Sequence, residues 1–133
     1  MAKSIRITLV AFVCSLLLSI VWLAWFFYFG VDAEKVQFSS NAWKQGAHVY
    51  QHSNDPGCIR GGMALDIVEA GILHGKLIEE VKLLLGEPNL VEQTVIGYEL
   101  GQCSGFGWHN SVLEIEFSSE KRVNNMKIAR HQP

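Results

Sequence analysis

The chain is poor in the residues that mark several specialised protein classes. Its 133 residues include only three cysteines and three prolines, which excludes a disulfide-dense toxin and a collagen-like chain. Only 18% of the residues are charged and the formal net charge is −2, so a broadly basic, nucleic-acid-binding protein is excluded as well. The most pronounced absence is local, because residues 7–29 contain no charged side chain at all.

This charge-free stretch is typical of a transmembrane helix. Its 23 residues extend over about 34 Å as an α-helix, which is enough to cross a hydrocarbon layer of about 30 Å. Seven of the fourteen aromatic residues lie in it, and most of these cluster at its C-terminal end, where a membrane–water interface would lie. Lys3 and Arg6 precede it, and positive charge is retained in the cytoplasm. The sequence therefore predicts a single-pass membrane protein, with residues 1–30 as cytoplasmic stub and anchor and the rest on the other side of the membrane.

A cleaved signal peptide is the alternative interpretation of this segment. Residues 31–33, Val-Asp-Ala, resemble a small-residue cleavage site. However, the apolar core of a signal peptide usually has about 7–15 residues, and this one is far longer. The length favours an anchor that stays attached.

Three small residues of the apolar stretch are spaced four positions apart. Ala11, Ser15 and Ser19 therefore share one helix face, and such a face can let two membrane helices approach closely. This pattern indicates a possible homodimer contact. The alternative is that these are the ordinary small residues of any long apolar segment.

The remainder, residues 31–133, has an ordinary and mildly acidic composition, with nine Lys and Arg against thirteen Asp and Glu. Residues 31–57 show no clean periodicity and end in the turn signal Asn-Asp-Pro-Gly, so they are predicted to be a tether. Residues 58–133 are predicted to form one small domain. A core of about 70 residues is marginal, so a covalent cross-link would stabilise it appreciably.

Hydrophobic periodicity within this domain predicts two helices and then three strands. The predicted helices are Arg60–Leu73 and Leu77–Leu85, and the predicted strands are Thr94–Leu100, Val112–Phe117 and Val123–Arg130. The glycine-rich piece Gly101–Asn110 is predicted to be a mobile loop. The expected fold is α+β: an N-terminal single transmembrane helix, then two helices packed on a three-stranded antiparallel sheet (ααβββ).

The spacing of residues in this domain resembles that of the BamE/SmpA-like (β-lactamase-inhibitor-protein-like) small exported proteins of bacteria. The resemblance covers about 70 residues and rests on four pieces: Arg60-x-x-Met63-x-x-Asp66-Ile67, then Gly75-Lys76-x-x-Glu79-Glu80-Val81-x-x-Leu84-Leu85-Gly86-x-Pro88, then Tyr98-x-Leu100-Gly101, and Leu113-x-Ile115-x-Phe117. It departs from the family at Leu77, where Ser or Thr usually caps the second helix. The resemblance implies an ααβββ fold and a periplasmic binding role without catalysis. Because the lipid-anchored members carry a lipobox where this chain has an apolar helix, it further implies a single-pass protein of the bacterial inner (cytoplasmic) membrane, with its N-terminus inside.

Two cysteines, Cys58 and Cys103, lie outside the apolar stretch. An exported compartment permits oxidation, so we predict a disulfide between them, with two free thiols as the alternative. His48 and His52 lie four residues apart, but their segment lacks helical periodicity, so no metal site is predicted there. 

Two aromatic residues, Phe106 and Trp108, lie on the predicted glycine-rich loop. They are either anchors for a protein partner or lids that fold back onto the core.

No spacing in the sequence suggests a catalytic set, so we expect neither an enzyme nor a bound cofactor. The leading hypothesis is a membrane-anchored periplasmic protein-interaction module, an accessory in cell-envelope assembly that binds a protein partner and no nucleic acid. The alternative is an immunity or inhibitor protein that blocks an exported enzyme or toxin, for which the acidic charge would suit a basic target. A small-molecule or metal sensor is the third hypothesis.

Overall fold

The computed structural model describes residues 2–47 and 57–131, and it has an α+β architecture with an N-terminal apolar helix. Its helices are α1 Ala2–Phe29, α2 Ser40–Gly46, α3 Gly61–Glu69 and α4 Ile78–Leu85. Its strands are β1 Leu90–Val91, β2 Val95–Ser104, β3 His109–Phe117 and β4 Val123–Arg130.

The strands form one antiparallel sheet in the order β1-β2-β3-β4. The sequence predicted three strands, and that number is wrong because β1 pairs with β2 through Leu90 and Val91. A strand of two residues is too short to show alternation, and both of its side chains are exposed. The backbone N–H of Glu99 also donates to the Asn89 side chain (3.0 Å), which extends this contact by one residue.

One face of the sheet carries the hydrophobic core. Leu113 lies opposite Ile128 and Ile115 lies opposite Met126, so these side chains point to the same face. Helices α3 and α4 cover this face with residues that the helical period places together: Met63, Ala64, Ile67, Val81 and Leu85. The opposite face carries Glu114 and Glu116, as the alternation in β3 predicted.

The two helices α3 and α4 end where glycine permits a change of direction. Helix α3 stops at Glu69, four residues earlier than predicted, because a turn with Gly71 at φ +63° follows it. Helix α4 ends at Gly86, whose φ is +84°. At its start, the Glu80 carboxylate accepts a hydrogen bond from the N–H of Leu77 (2.8 Å), which is the half of a capping box that needs no Ser or Thr at the N-cap.

The described part of the predicted tether, residues 31–47, packs against the domain. Trp43 on α2 is completely buried, and Phe38 packs on the same cluster. The N–H of Phe38 donates to the Asp66 carboxylate (2.9 Å), and the N–H of Val36 donates to the carbonyl of Gly62 (3.0 Å). The part of the predicted tether that the structure describes is therefore packed, and the sequence did not predict its helix because seven residues with one apolar anchor have no detectable periodicity.

The predicted mobile loop Gly101–Asn110 is also corrected. Strands β2 and β3 continue through this piece and leave only a tight turn at 105–108 between them. The pairing shifts register around Gly101, whose φ is +94°. Glycine made this segment look like a loop, whereas here it accommodates an irregularity within a hairpin.

Helix α1 is the one candidate membrane span in the described chain. Residues Lys3–Phe29 are long and apolar enough to cross a membrane, a property that a signal sequence near the N-terminus would share. Its side chains are exposed along nearly the whole helix. Only its C-terminal end contacts the α+β body.

Candidate functional site

A disulfide joins Cys58 to Cys103, as predicted, with 4.7 Å between the two Cα atoms. It connects the entry of α3 to the far end of β2. Closing a loop of this length stabilises a fold by about 4 kcal/mol in the chain-entropy model, which is large for so small a core. Cys14, on α1, is the free cysteine of the described chain.

The disulfide helps to close one edge of the sheet. Beyond the short β1, the outer edge of β2 is covered by two segments of the same chain. The N–H of Arg60 donates to the carbonyl of Leu100 (3.3 Å), and the N–H of Gln102 donates to the carbonyl of Gly57 (2.9 Å). Farther along, the N–H of Asp32 donates to Cys103 (2.7 Å). This edge therefore offers little free backbone to a partner.

The opposite edge, β4, is open along most of its length. Its beginning is covered, because Val123 exchanges backbone hydrogen bonds with Gly75 and Lys76. The N–H of His131 donates to Asn110 on β3 (2.8 Å), and the antiparallel pattern alternates from there. Three β4 residues therefore direct their N–H and C=O groups outward, and no other described residue bonds them: Met126, Ile128 and Arg130.

The sheet face that carries Glu114 and Glu116 has charged side chains beside this edge, and they form ion pairs with one another. Lys127 lies between Glu114 (3.0 Å) and Glu116 (3.4 Å) on the neighbouring strand. The hydrogen bond that the Lys127 ammonium donates to the Glu114 carboxylate raises the pKa of Lys127 above its ordinary value. These pairs are largely exposed, so they contribute little stability, and one lysine between two carboxylates leaves a net negative charge next to the open edge.

The C-terminal end of α1 contacts the turn between β2 and β3. The ring of Phe106 lies 5.2 Å from that of Phe26 and 6.1 Å from that of Phe27. His109 meets Phe27 edge-on at 5.4 Å. The Arg130 guanidinium lies 5.5 Å from the Phe27 ring and donates to the His109 imidazole. These five residues form what we call the helix–body junction.

The two predicted aromatic anchors occupy different positions. Phe106 is half-exposed and contacts α1, whereas Trp108 is 82% exposed. Neither residue folds into the core of the body. The structure brings both to the tip of the β2–β3 hairpin, residues 105–108, which we call the hairpin tip. Their role in protein binding stays a prediction.

A cleft of about 390 Å³ lies beneath the end of α1. Its walls come from the end of α1 and from the last part of the sheet; they include Tyr28, Phe29, Ser104, Ser111 and Arg130. The Ser111 hydroxyl is completely buried and has no hydrogen-bond partner among the described residues. Arg130 has no carboxylate partner in the same part of the chain. The cleft therefore combines mainly apolar walls with two cations, Lys127 and Arg130, next to the open edge of β4.

Arg60 is the buried cation of the described residues, and it has a structural role. Its side chain is 2% exposed, its Nε donates to the carbonyl of Trp43 (2.9 Å), and its guanidinium lies 4.8 Å from the Trp43 ring. Arg60 thus fastens α2 to the body. Neither Arg60 nor Arg130 stood out as a functional candidate in the sequence, because their partners come from distant segments.

The other predicted positions are placed as follows. Ala11, Ser15 and Ser19 line one shallow groove of α1, so they do share a face, and their contact with a second helix stays a prediction. His48 and His52 lie outside the described residues. Within the described ranges, no group of three or more His, Cys, Asp or Glu side chains is arranged to hold a metal ion.

Comparisons with known proteins do not place the chain in a family. No family model, characterised protein or solved structure matches it. The BamE-like resemblance therefore rests on the motifs alone.

Proposed function

We propose that this chain is a single-pass protein of the bacterial inner membrane whose α+β body lies in the periplasm and binds a protein of the cell envelope. The order of α3 and α4 followed by antiparallel strands supports this proposal, since the BamE-like resemblance implies helices that precede the sheet. The apolar helix α1 supplies the anchor, and Lys3 and Arg6 at its start favour a cytoplasmic N-terminus.

The disulfide supports an exported location for the body. Disulfides persist in oxidising compartments such as the periplasm and are rare in the bacterial cytoplasm. Cys58 and Cys103 join a segment of the chain to the sheet that it covers, so the bond has a structural purpose in the folded protein. The positive charges before α1 and the disulfide thus both favour the periplasm as the location of the body.

The open edge of β4 carries the proposal for binding. One edge of the sheet is closed by the chain's own segments, whereas Met126, Ile128 and Arg130 direct backbone N–H and C=O groups outward. An extended segment of another protein can add to such an edge and bond through its main chain. We propose that the partner binds along β4 in this way.

Photo-crosslinking in cells tests this surface. A photoreactive residue at Asn125, exposed on β4, is expected to capture one reproducible envelope protein. The same residue at Glu79, exposed on α4, is the control and should capture none. Equal capture from both positions, or none from Asn125, would contradict binding along β4.

A pair of substitutions at one position separates edge binding from general damage. Met126→Pro removes an outward N–H and places a ring against the partner, while Met126→Ala removes the same side chain but keeps the N–H. We expect Met126→Pro to abolish the crosslink from Asn125 and Met126→Ala to retain it. If both variants retain it, the partner does not use the backbone of β4.

A further inference from the structure

The hairpin tip, residues 105–108, lies beside the end of the apolar helix. From this contact we infer that the tip is a membrane-docking element, inserted into the interfacial layer of the same membrane that α1 crosses. The inference rests on the proposed anchoring of α1. In this inference Phe106 and Trp108 contact lipid, whereas the edge of β4 remains the surface that binds a protein.

The depth of Phe106 follows from its contacts with α1. Phe26 and Phe27 belong to the last turn of the apolar helix, which ends at Phe29. A helix rises 1.5 Å per residue, so both rings lie within about 5 Å of the end of the span. Because Phe106 packs against both rings, the hairpin tip lies at the same depth.

The connection between α1 and the body is too short to let the tip move away. The N–H of Gly30 still donates to Phe26 (2.8 Å), so the helical path continues to this residue. Val31 then forms a bridge to Ser104, and Asp32 bonds Cys103. The body is therefore held directly against the end of the helix.

The composition of the tip suits a membrane interface. Residues 104–108 read Ser-Gly-Phe-Gly-Trp and contain no charge. Tryptophan is enriched at the boundary between hydrocarbon and water, because its ring is amphipathic, and α1 already places Trp22, Trp25 and Tyr28 near this boundary. The Trp108 side chain is 82% exposed, so it is free to enter such a layer, where an indole ring is favourable.

Arg130 supplies the charge that such an element requires. Its guanidinium lies 5.5 Å from the Phe27 ring and 5.6 Å from the Tyr28 ring, and Phe27 is also in contact with Phe106 of the tip. Arginine at the end of a membrane span reaches the phosphate layer of the lipids. The aromatic tip and this cation therefore match the two layers of one interface, acyl carbon and headgroup phosphate.

Depth-dependent quenching on the full chain in phospholipid vesicles tests the inference. In a Cys14→Ser background, a fluorescent probe is attached to one of three single cysteines: Trp108→Cys at the tip, Glu120→Cys at the opposite end of β3, or Leu16→Cys within α1. The disulfide-bonded cysteines do not react. Lipids with a headgroup spin label and a water-soluble quencher then report the depth of each probe.

We expect the probe at 108 to be quenched several-fold more by labelled lipid than the probe at 120, and to be shielded from the aqueous quencher. A probe at 108 that is as accessible to water as the probe at 120, with the probe at 16 shielded, overturns the inference and leaves the anchor in place. That result would direct the tip toward a protein partner. A water-accessible probe at 16 overturns both the inference and the proposed anchor.

Native tryptophan gives a second measurement that keeps the ring at the tip. Brominated lipids quench tryptophan by contact, so part of the fluorescence of the unlabelled chain should disappear in such vesicles. Trp108→Phe is expected to reduce the amount of tryptophan fluorescence that the brominated lipids quench, relative to the unchanged protein. An equal quenched part in both proteins would overturn the inference, whatever the probes show.

Discussion

At the scale of single residues, two adjacent glycines decide how closely the chain packs around the start of α3. A Cβ on Gly61 would collide with the sulfur atoms of the disulfide, and a Cβ on Gly62 would collide with the carbonyl of Glu34. Both glycines have ordinary helical angles, so their role is close approach rather than conformational freedom. The segment that follows α1 therefore packs directly against the start of α3.

Replacing Gly62 with alanine is expected to destabilise the body by about 1–3 kcal/mol, because backbone rather than a mobile side chain must move. The measurement is the denaturant midpoint of the purified protein in detergent. Alanine is the better helix former by about 1 kcal/mol, so an increase in stability would show that the close contact with Glu34 is absent.

Tyr98 gives the body a dependence on alkaline pH. Its hydroxyl donates to the carbonyl of Gly86 (2.9 Å), and burial, with the charge of Glu87 as a second cause, raises the pKa of Tyr98 above its ordinary 10.0. The unfolded chain then releases this proton at a lower pH than the folded one. The contribution to stability is complete below pH 10 and is lost as the pH rises above it.

This linkage predicts a difference between the unchanged protein and Tyr98→Phe. Between about pH 9 and pH 11, the free energy of unfolding should fall more steeply for the protein with Tyr98. Lys35 and Lys127, whose pKa values are raised by neighbouring carboxylates, contribute equally to both proteins and cancel in the comparison. Parallel pH profiles would show that Tyr98 is not buried as described.

At the scale of elements, α2 is the piece that turns an expected linker into part of the body. Ser39 begins this helix as its N-cap, and Trp43 inserts its side chain between Phe38 and Tyr98. The cation of Arg60 covers the Trp43 ring. A helix of seven residues has little stability alone, so this packing accounts for its presence.

Substitution of Trp43 therefore distinguishes a packed segment from a tether. Trp43→Ala is expected to cost about 3–5 kcal/mol of stability, the usual range for removing a large buried aromatic side chain. Asn41→Ala, at an exposed position of the same helix, should change stability by no more than about 0.5 kcal/mol. Thermal unfolding measures both, and a silent Trp43→Ala would indicate that residues 31–47 do not pack on the body.

The elements also show which parts of the fold the sequence predicts. Strand β4 is found at the predicted residues, Val123–Arg130, and α4 begins within one residue of its prediction, because each carries a clear period. Strand β1 has two residues and α2 has one anchor, so neither produces a pattern. The end of β2 was misinterpreted because glycine there signals a loop as readily as a bulge.

The candidate site was less predictable than the fold for a related reason. Cys58 and Cys103 could be paired in advance because few other thiols compete. The open edge of β4, the buried Ser111 and the position of Arg130 depend on which strand lies outermost and on where α1 ends. Those are properties of the assembled sheet, and no local pattern contains them.

At the scale of the whole molecule, the disulfide holds the segment around Cys58 to the sheet. Replacing both Cys58 and Cys103 by serine is expected to lower the free energy of unfolding by about 4 kcal/mol. Chemical denaturation in detergent measures this loss. Cys14→Ser is the control and should leave the midpoint unchanged. Unfolding midpoints that agree with and without reductant would contradict a structural disulfide.

The central claim is that α1 crosses the inner membrane and leaves the α+β body in the periplasm. Its most direct test is the topology of a fusion after Pro133, made once with alkaline phosphatase and once with green fluorescent protein. The account predicts an active phosphatase, which requires an oxidising compartment, and a dark fluorescent fusion. An inactive phosphatase together with a fluorescent fusion would place the body in the cytoplasm and contradict the account.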